Sequence, residues 1–393
     1  MPTAVVRLEA TSLPPALEFP PRYEAVFALV LWNGRPVGHG TFPLRQGVLD
    51  GERLRDGIER VAGPMIATRR LHAWLAWDDR CRDAQPRATI AICTRDRPDD
   101  LSRCLTAMAA LPNDGQEVLV IDSASRAGDA VRAVVDRFPG TRYVREACPG
   151  LDIARNRALR EARGEIVLFC DDDAEVDGGW LRAIAANFGD PRTLCVTGLI
   201  LPAELETPAQ EWFEKTNSFG RGYVRVVHDG VVHDPFFVSR VGAGASMALR
   251  RTVLDLLGPF DEALDAGTPT RSGGDHDYFT RILAAGYRIV YDPAALSWHR
   301  HRREWSELRP AIEGYGTGVW AYLTRQLLHG ELRAPYVAVA WLRWQLRGLV
   351  RGMLRRSTIL PPRLAAAEIR GCLVGPRAYL VSRRARRDTE RAP

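Results

Sequence analysis

Long apolar runs are missing from this chain. No stretch approaches the roughly 20 residues that a helix needs to cross a bilayer, and the longest candidate, Tyr336 to Leu342, is far too short. A spanning helix is therefore excluded. A basic stretch leading into an apolar core is also missing after Met1-Pro2-Thr3, so no signal peptide is expected. Paired cysteines are missing too. The seven cysteines are odd in number and never spaced as Cys-x-x-Cys, which speaks against a disulfide framework or a zinc site. Free thiols in a reducing cytoplasm are the expectation. Lysine is nearly absent, Lys215 standing alone, so the positive charge is almost entirely arginine. That charge is unevenly spread. From Pro335 onward 13 arginines face 3 acidic residues, a net of +10 within a total of +6, so the 334 residues before carry about −4. No nucleic-acid recognition motif accompanies the arginines, and nucleic acid is not an expected partner.

What is present is a globular composition, 46% hydrophobic and 26% charged over 393 residues, long enough for more than one unit. Residues 1–85 read as a small α+β accessory unit. Tyr23 to Leu31 and Val37 to Leu44 are strand-like around the hairpin signal Asn33-Gly34. Val48 to Val61 has helical periodicity, and Leu71 to Trp77 reads as a further strand. The charged segment Asp78 to Arg87 reads as a linker. From Ala88 the pattern becomes strand, helix, strand, helix, the mark of a mostly parallel sheet flanked by helices in an α/β fold. Residues 86–305 form this unit. Residues 205–245 are less regular and are expected to cover a site. Residues 306–393 read as a helical, basic C-terminal region. Its first helix is interrupted at Gly314-Tyr315-Gly316-Thr317-Gly318, and two amphipathic helices then follow, split by Pro361-Pro362.

Three polar clusters fall at strand ends, where open α/β sheets bind ligands. They are Thr94-Arg95-Asp96-Arg97, Asp122-Ser123-Ala124-Ser125 and Asp171-Asp172-Asp173, the last following the apolar run Ile166-Val167-Leu168-Phe169-Cys170. Adjacent carboxylates repel, and a divalent cation relieves that cost. Asp171 and Asp173, two apart on an extended strand, point the same way. Asp172 is counted with the nucleotide-binding residues, but its alternation turns it to the other side, where a structural role stands equally open. Asp122 can accept a hydrogen bond from a base or ribose, or can simply cap a turn. Arg95 can pair with phosphate or remain a solvated surface charge.

Residues 88 to about 305 resemble family 2 glycosyltransferases of the GT-A, nucleotide-diphospho-sugar transferase fold. The resemblance rests on Thr89-Ile90-Ala91-Ile92-Cys93-Thr94-Arg95-Asp96-Arg97-Pro98, Val120-Ile121-Asp122-Ser123-Ala124-Ser125, Gly150-Leu151-Asp152-Ile153-Ala154-Arg155-Asn156 and Phe169-Cys170-Asp171-Asp172-Asp173. Further on it includes Gly244-Ala245-Ser246-Met247, Gly258-Pro259-Phe260-Asp261, Gly273-Gly274-Asp275-His276-Asp277 and Trp298-His299-Arg300-His301. It implies that Thr94, Arg95 and Asp122 hold the nucleoside and that Arg155 orients the nucleotide. It implies that Asp171 and Asp173 chelate Mn2+ or Mg2+ on the diphosphate, with His299 completing the site. Relatives commonly carry Gly-Glu-Asp-x-Asp, whose second acid is the base. Here the glutamate is replaced by Gly274, so Asp275 is the first choice for the base and Asp277 the second.

The implied reaction moves a sugar from a nucleoside-diphosphate sugar, with a UDP-sugar favoured by family habit, to an acceptor hydroxyl that is part of a lipid-linked or polysaccharide intermediate. The metal serves the leaving group and a carboxylate deprotonates the acceptor, giving inversion. The alternative is a catalytically degenerate nucleotide-sugar-binding protein. A nucleotidyltransferase is disfavoured because no Gly-rich loop follows Cys93. In the tail, Arg343, Arg347, Arg351 and Arg355 line one helix face beside Trp341 and Trp344. Two readings stand: a helix lying on an anionic membrane surface, which places the protein peripherally at the inner face, or a helix packed on the catalytic body.

Overall fold

The computed structural model describes residues 2–77, 85–236, 238–354 and 362–391. The chain begins with β1 (Thr3–Glu9), β2 (Ala16–Glu18), β3 (Ala25–Trp32), β4 (Arg35–Pro43), β5 (Val48–Asp50) and α1 (Gly51–Trp74). Asn33 and Gly34 take φ of 50° and 72°, the positive values a two-residue hairpin demands, and Trp32 pairs with Arg35 across them. The expected strand at Leu71 to Trp77 is not formed. Helix α1, capped by Asp50 accepting from the Arg53 amide, runs on through Trp74. Its buried Leu54, Ile58, Ala62 and Ile66 keep a helical spacing that covers the β1-β3-β4 sheet. The opposite face of that sheet buries Phe27, Leu29 and Leu31 against Leu199, Leu201 and Tyr291 of the main body. Of the linker segment, residues 78–84 lie outside the described residues.

The main body follows as β6 (Ala88–Thr94), α2 (Pro98–Ala109), β7 (Glu117–Ser123), α3 (Gly128–Val135), β8 (Thr141–Glu146), α4 (Leu151–Glu161), β9 (Ile166–Asp171), β10 (Ala174–Val176) and α5 (Trp180–Ala185). It continues as β11 (Thr193–Pro202), α6 (Pro208–Asn217), β12 (Val226–Asp229), β13 (Ser246–Arg250), α7 (Val253–Leu257), α8 (Gly274–Ala284) and β14 (Arg288–His299). One sheet has the order β10-β14-β11-β13-β9-β6-β7-β8, with β12 on β14. Strands β8, β7, β6, β9, β11 and β14 share a direction, while β13, β10 and β12 oppose it. The sheet is thus mostly parallel.

Both faces are covered, so the strands are apolar throughout rather than alternating with polar residues. Ile90, Ile92, Leu168 and Cys170 point to the core under α2, α3 and α5, and Ala91, Val167 and Phe169 to the core under α4 and α8. The chain runs from β6 out to β7 and β8, then returns to add β9 on the other side of β6. This reversal opens a crevice at the carboxyl ends of β6 and β9, the usual ligand position in such sheets.

The C-terminal region is α9 (Trp305–Leu328), α10 (Ala334–Leu354) and α11 (Pro362–Arg391). The expected interruption at residues 314–318 is absent, and α9 is continuous. Its glycines serve close packing. A Cβ at Gly316 would strike the Glu368 carbonyl, and one at Gly371 the Glu313 carbonyl, so α9 and α11 meet backbone to backbone. Pro361 and Arg355 lie outside the described residues. No helix among the described residues is long and apolar enough to cross a membrane.

Candidate active site

The register of the central strands builds the site. Cys93 pairs with Asp171 and Thr94 with Asp122, so the tips of β6, β7 and β9 end level. A cleft of about 660 Å³ lies above them. Thr94, Arg95, Arg155, Asp171, Asp172, Asp173, Asp275 and His299 all line it, from five different segments of the chain.

The antiparallel pairing of β10 with the end of β14 sets Ala174 opposite His299 and so brings the imidazole beside Asp173. One ligand atom from each of Asp171, Asp173 and His299 lies within 4.8 Å of the others. His299 Nε2 is 3.2 Å from Asp173 Oδ1, an ion-pair distance without hydrogen-bond alignment. Asp173 Oδ1 and His299 Nδ1 are buried with no hydrogen-bond partner. Two carboxylates and an imidazole with orphaned atoms fit a divalent cation. Burial, then Asp173, raises the pKa of Asp171. Burial also lifts Asp173, but His299 and Arg97 outweigh it and hold its carboxyl well below the usual range.

Asp172 is turned away from this group. Its carboxylate accepts from Thr94 Oγ1 at 2.7 Å and from Arg97 at 2.6 Å, and burial pushes its pKa to about 7. It braces the tip of β6 rather than reaching toward a nucleotide. The same guanidinium bonds Asp173 Oδ2 at 2.9 Å, making Arg97, a member of the first strand-end cluster, a strut across the aspartate run. Asp122 also departs from its expected place. Fully buried, it accepts from the Ser125 amide at 3.0 Å, Tyr143 Oη at 2.7 Å and Arg145 at 3.0 Å, and the cleft wall at this point is Ser123 instead. The turn-capping alternative describes its geometry.

The two acids of α8 separate cleanly. Asp275 faces the cleft. Its Oδ2 accepts from the Gly244 amide at 2.9 Å, and its Oδ1 from the His276 amide at 2.8 Å, with His276 Nδ1 3.0 Å away. Burial favours the neutral acid, yet His276, Arg155 and the Gly244 amide outweigh it and keep Asp275 ionised. The helix is capped by Gly273, not by Asp275. Asp277 points into the protein, where Gln326 and Arg325 reach it at 2.8 Å and Arg281 at 3.2 Å. It does not line the cleft and is part of the α8–α9 joint.

The space beside Gly274 is filled by a carboxylate from another helix. A Cβ on Gly274 would run into the Asp152 carboxylate, 2.6 Å from its Cγ. Asp152, on α4, fills the slot and binds Arg155 at 2.9 Å, while Asp265 holds the same guanidinium at 2.8 Å. Asp152 and Arg155 are i, i+3 on one helix, a spacing visible in the sequence. Asp265, 110 residues away from Arg155, gives no such hint.

A mostly parallel α/β sheet with a carboxylate-lined crevice at its switch point is the arrangement of GT-A folds. Residues 89–256 match the model of "Glycosyl transferase family 2". The chain is 26% identical over 283 residues to the pre-mycofactocin glycosyltransferase of Mycobacterium tuberculosis, covering 69% of this chain and 55% of that protein. The succinoglycan biosynthesis protein ExoM of Rhizobium meliloti is 29% identical over 233 residues, 54% of this chain and 71% of that one. The chain thus spans about half the length of the mycobacterial relative. Among solved structures, the mannosyltransferase PcManGT from Pyrobaculum calidifontis, in complex with GDP-Man and Mn2+, superposes with a TM-score of 0.51 at 21% identity, over 84% of this chain and 95% of that one.

Proposed function

We propose that this protein is an inverting, metal-dependent glycosyltransferase that moves a sugar from a nucleoside-diphosphate sugar to an acceptor hydroxyl. The observation that carries the reading is the juxtaposition, in one cleft, of the Asp171–Asp173–His299 ligand set with an ionised Asp275. Asp171, Asp173 and His299 would hold Mn2+ or Mg2+. When bound, the cation supplies charge neutralisation for the diphosphate leaving group.

The chain's own groups account for the rest. Arg95 and Thr94, at the tip of β6, face the nucleotide end, and Arg155 adds positive potential at the floor. Asp275 takes the acceptor proton. An ionised but weakly basic carboxylate accepts it as alkoxide character develops, so the transfer falls late in the displacement. The backbone amides of Gly244 and His276 fix that carboxylate in place. The occupied slot beside Gly274 disfavours the alternative of a degenerate binding protein, because the carboxylate next to the base is retained from another helix. UDP is the first donor to test, by family resemblance.

Residues 1–85 are read as an accessory unit and 86–305 as the catalytic unit. Residues 306–393 are read as a helical unit that walls the cleft. The outer face of α11 sets Arg370, Arg377 and Arg384 among exposed Leu373, Leu380 and Val381. This mixture suits the interface of an anionic membrane on the cytoplasmic side. Arg377→Glu with Arg384→Glu should abolish sedimentation with anionic vesicles. Wild-type protein that ignores such vesicles removes the membrane role.

The donor half is tested by thermal-shift measurements over a set of nucleoside diphosphates and their sugars with Mn2+. Stabilisation by at least one nucleotide, lost on adding chelator, is expected. The absence of any shift sinks the proposal.

A further inference from the structure

The catalytic groups line only part of the cleft. Along α9, Leu308, Ile312, Tyr315 and Val319 recur at i, i+4, i+7 and i+11, so they share one face, and all four border the cavity. Trp341 from α10 and Glu368 from α11 extend the same wall. Phe219, on the loop after α6, closes it toward the metal-ligand set, its ring 5.4 Å from that of His299. Phe213 stands behind, 5.4 Å from Phe219 and 6.4 Å from Tyr315.

This wall has little to offer a nucleoside diphosphate. Phosphates and ribose need cations and hydrogen-bond donors, which the tips of β6 and β9 supply, while α9 and α10 present carbon. Leu308 and Ile312 belong to the buried core, but the rest of the wall is open. Tyr315 is 36% exposed, and Val319 and Trp341 are half-buried. Tyr315 marks the junction. Enclosure by the cleft walls, with Asp173, Asp171 and Asp275 nearby and Arg302 opposing, pushes its phenol up to about 12. It is therefore a neutral hydrogen-bond donor beside the reacting groups, with apolar surface running away from it.

Resting on the glycosyltransferase reading above, we propose that the α9–α10 wall is an acceptor subsite for an apolar aglycone, so that the accepted hydroxyl belongs to an amphipathic molecule rather than a free sugar. The hydroxyl would lie near Asp275 and Tyr315, and the apolar portion along Val319 and Trp341. Burying even a few methylenes there makes the amphipathic acceptor bind about 10-fold tighter or better.

The test is direct binding, independent of turnover. Full-length protein with Mn2+ is titrated with n-octyl β-D-glucopyranoside below its micellar concentration and with methyl β-D-glucopyranoside, by calorimetry or ligand-observed NMR. Trp341→Ala and Val319→Ser are measured alongside, with UDP affinity as the control on fold and donor site. The expected result is a preference of about 10-fold or more for the octyl glycoside in wild type. That preference should fall at least about threefold in each variant that retains UDP affinity. Equal binding of the two glycosides overturns the inference, as does an unchanged preference in both variants. A parallel loss of UDP affinity also overturns it, because the wall would then belong to the donor. Failure of every nucleotide to bind wild type strikes instead at the functional reading itself.

Discussion

Gly274→Ala is a one-carbon change with a large expected effect. The new Cβ would strike the Asp152 carboxylate, 2.6 Å from its Cγ, on a fully buried residue with no room to retreat. Asp152 must rotate away from Arg155, whose side chain is 5% exposed and which then keeps only Asp265 as an ionic partner. Overpacking a tight core costs about 1–3 kcal/mol, and disrupting a buried ion pair by removing one partner about 3–5 kcal/mol. Because burial and Asp265 raise the pKa of Asp152, a neutral acid softens the second cost. A net loss of about 3 kcal/mol is expected, read as a lowered denaturation midpoint at unchanged slope. The decisive experiment is the swap. Gly274→Glu with Asp152→Ala returns a carboxylate to the slot from α8 instead of α4, and the double variant should be more stable than the sum of the singles by about 1–2 kcal/mol. Additive singles, or a Gly274→Ala protein as stable as wild type, would refute the idea that Asp152 stands in for the missing glutamate.

Three further outcomes are expected. Asp171→Asn and Asp173→Asn should each abolish the Mn2+ dependence of nucleotide affinity in calorimetry, and persistence of that dependence in both rejects the ligand set. Asp275→Asn should reduce transfer by about 100-fold or more with donor affinity nearly unchanged, whereas Asp277→Asn should lower stability by about 2–4 kcal/mol through the Arg325 and Arg281 pairs while the folded protein stays active; the reverse pattern would return the base assignment to Asp277. The Asp275–His276 pair should stabilise the fold fully between about pH 4 and 6.5. Below that window the contribution is lost as pH falls through the depressed Asp275 pKa; above it, the loss follows the raised pKa that Asp275 confers on His276 despite burial. His276→Asn should flatten the loss above pH 6.5 in denaturation midpoints, and identical slopes in the two proteins would show that the pair contributes nothing there.

The parts of this protein legible in the sequence are those set by local pattern. Continuous apolar strands tipped with acids announced a doubly covered parallel sheet, because only strands buried on both faces lack polar alternation. The Asn33-Gly34 turn was legible because few other dipeptides accept two positive φ values. That Asp171 and Asp173 share a side was legible because residues two apart on a strand point the same way, whereas Asp275 was named only through the family resemblance. Orientation and distance were not legible. Asp122 was expected in the site, but Tyr143 and Arg145, 21 and 23 residues on, claim its carboxylate. Leu71 to Trp77 was expected as a strand, yet α1 continues past its last buried residue, Ile66, through the exposed Trp74. Gly314, Gly316 and Gly318 looked like a break because glycine is a poor helix former. Close approach of Gly316 to α11 and of Gly314 and Gly318 to Arg271 and Ser272 offsets that weakness, and only the folded chain could show it. Asp152 standing in for an absent glutamate is the same lesson at atomic scale. A sequence records which groups the chain owns, while the filling of a slot depends on which side chain the fold delivers to it, and from which direction.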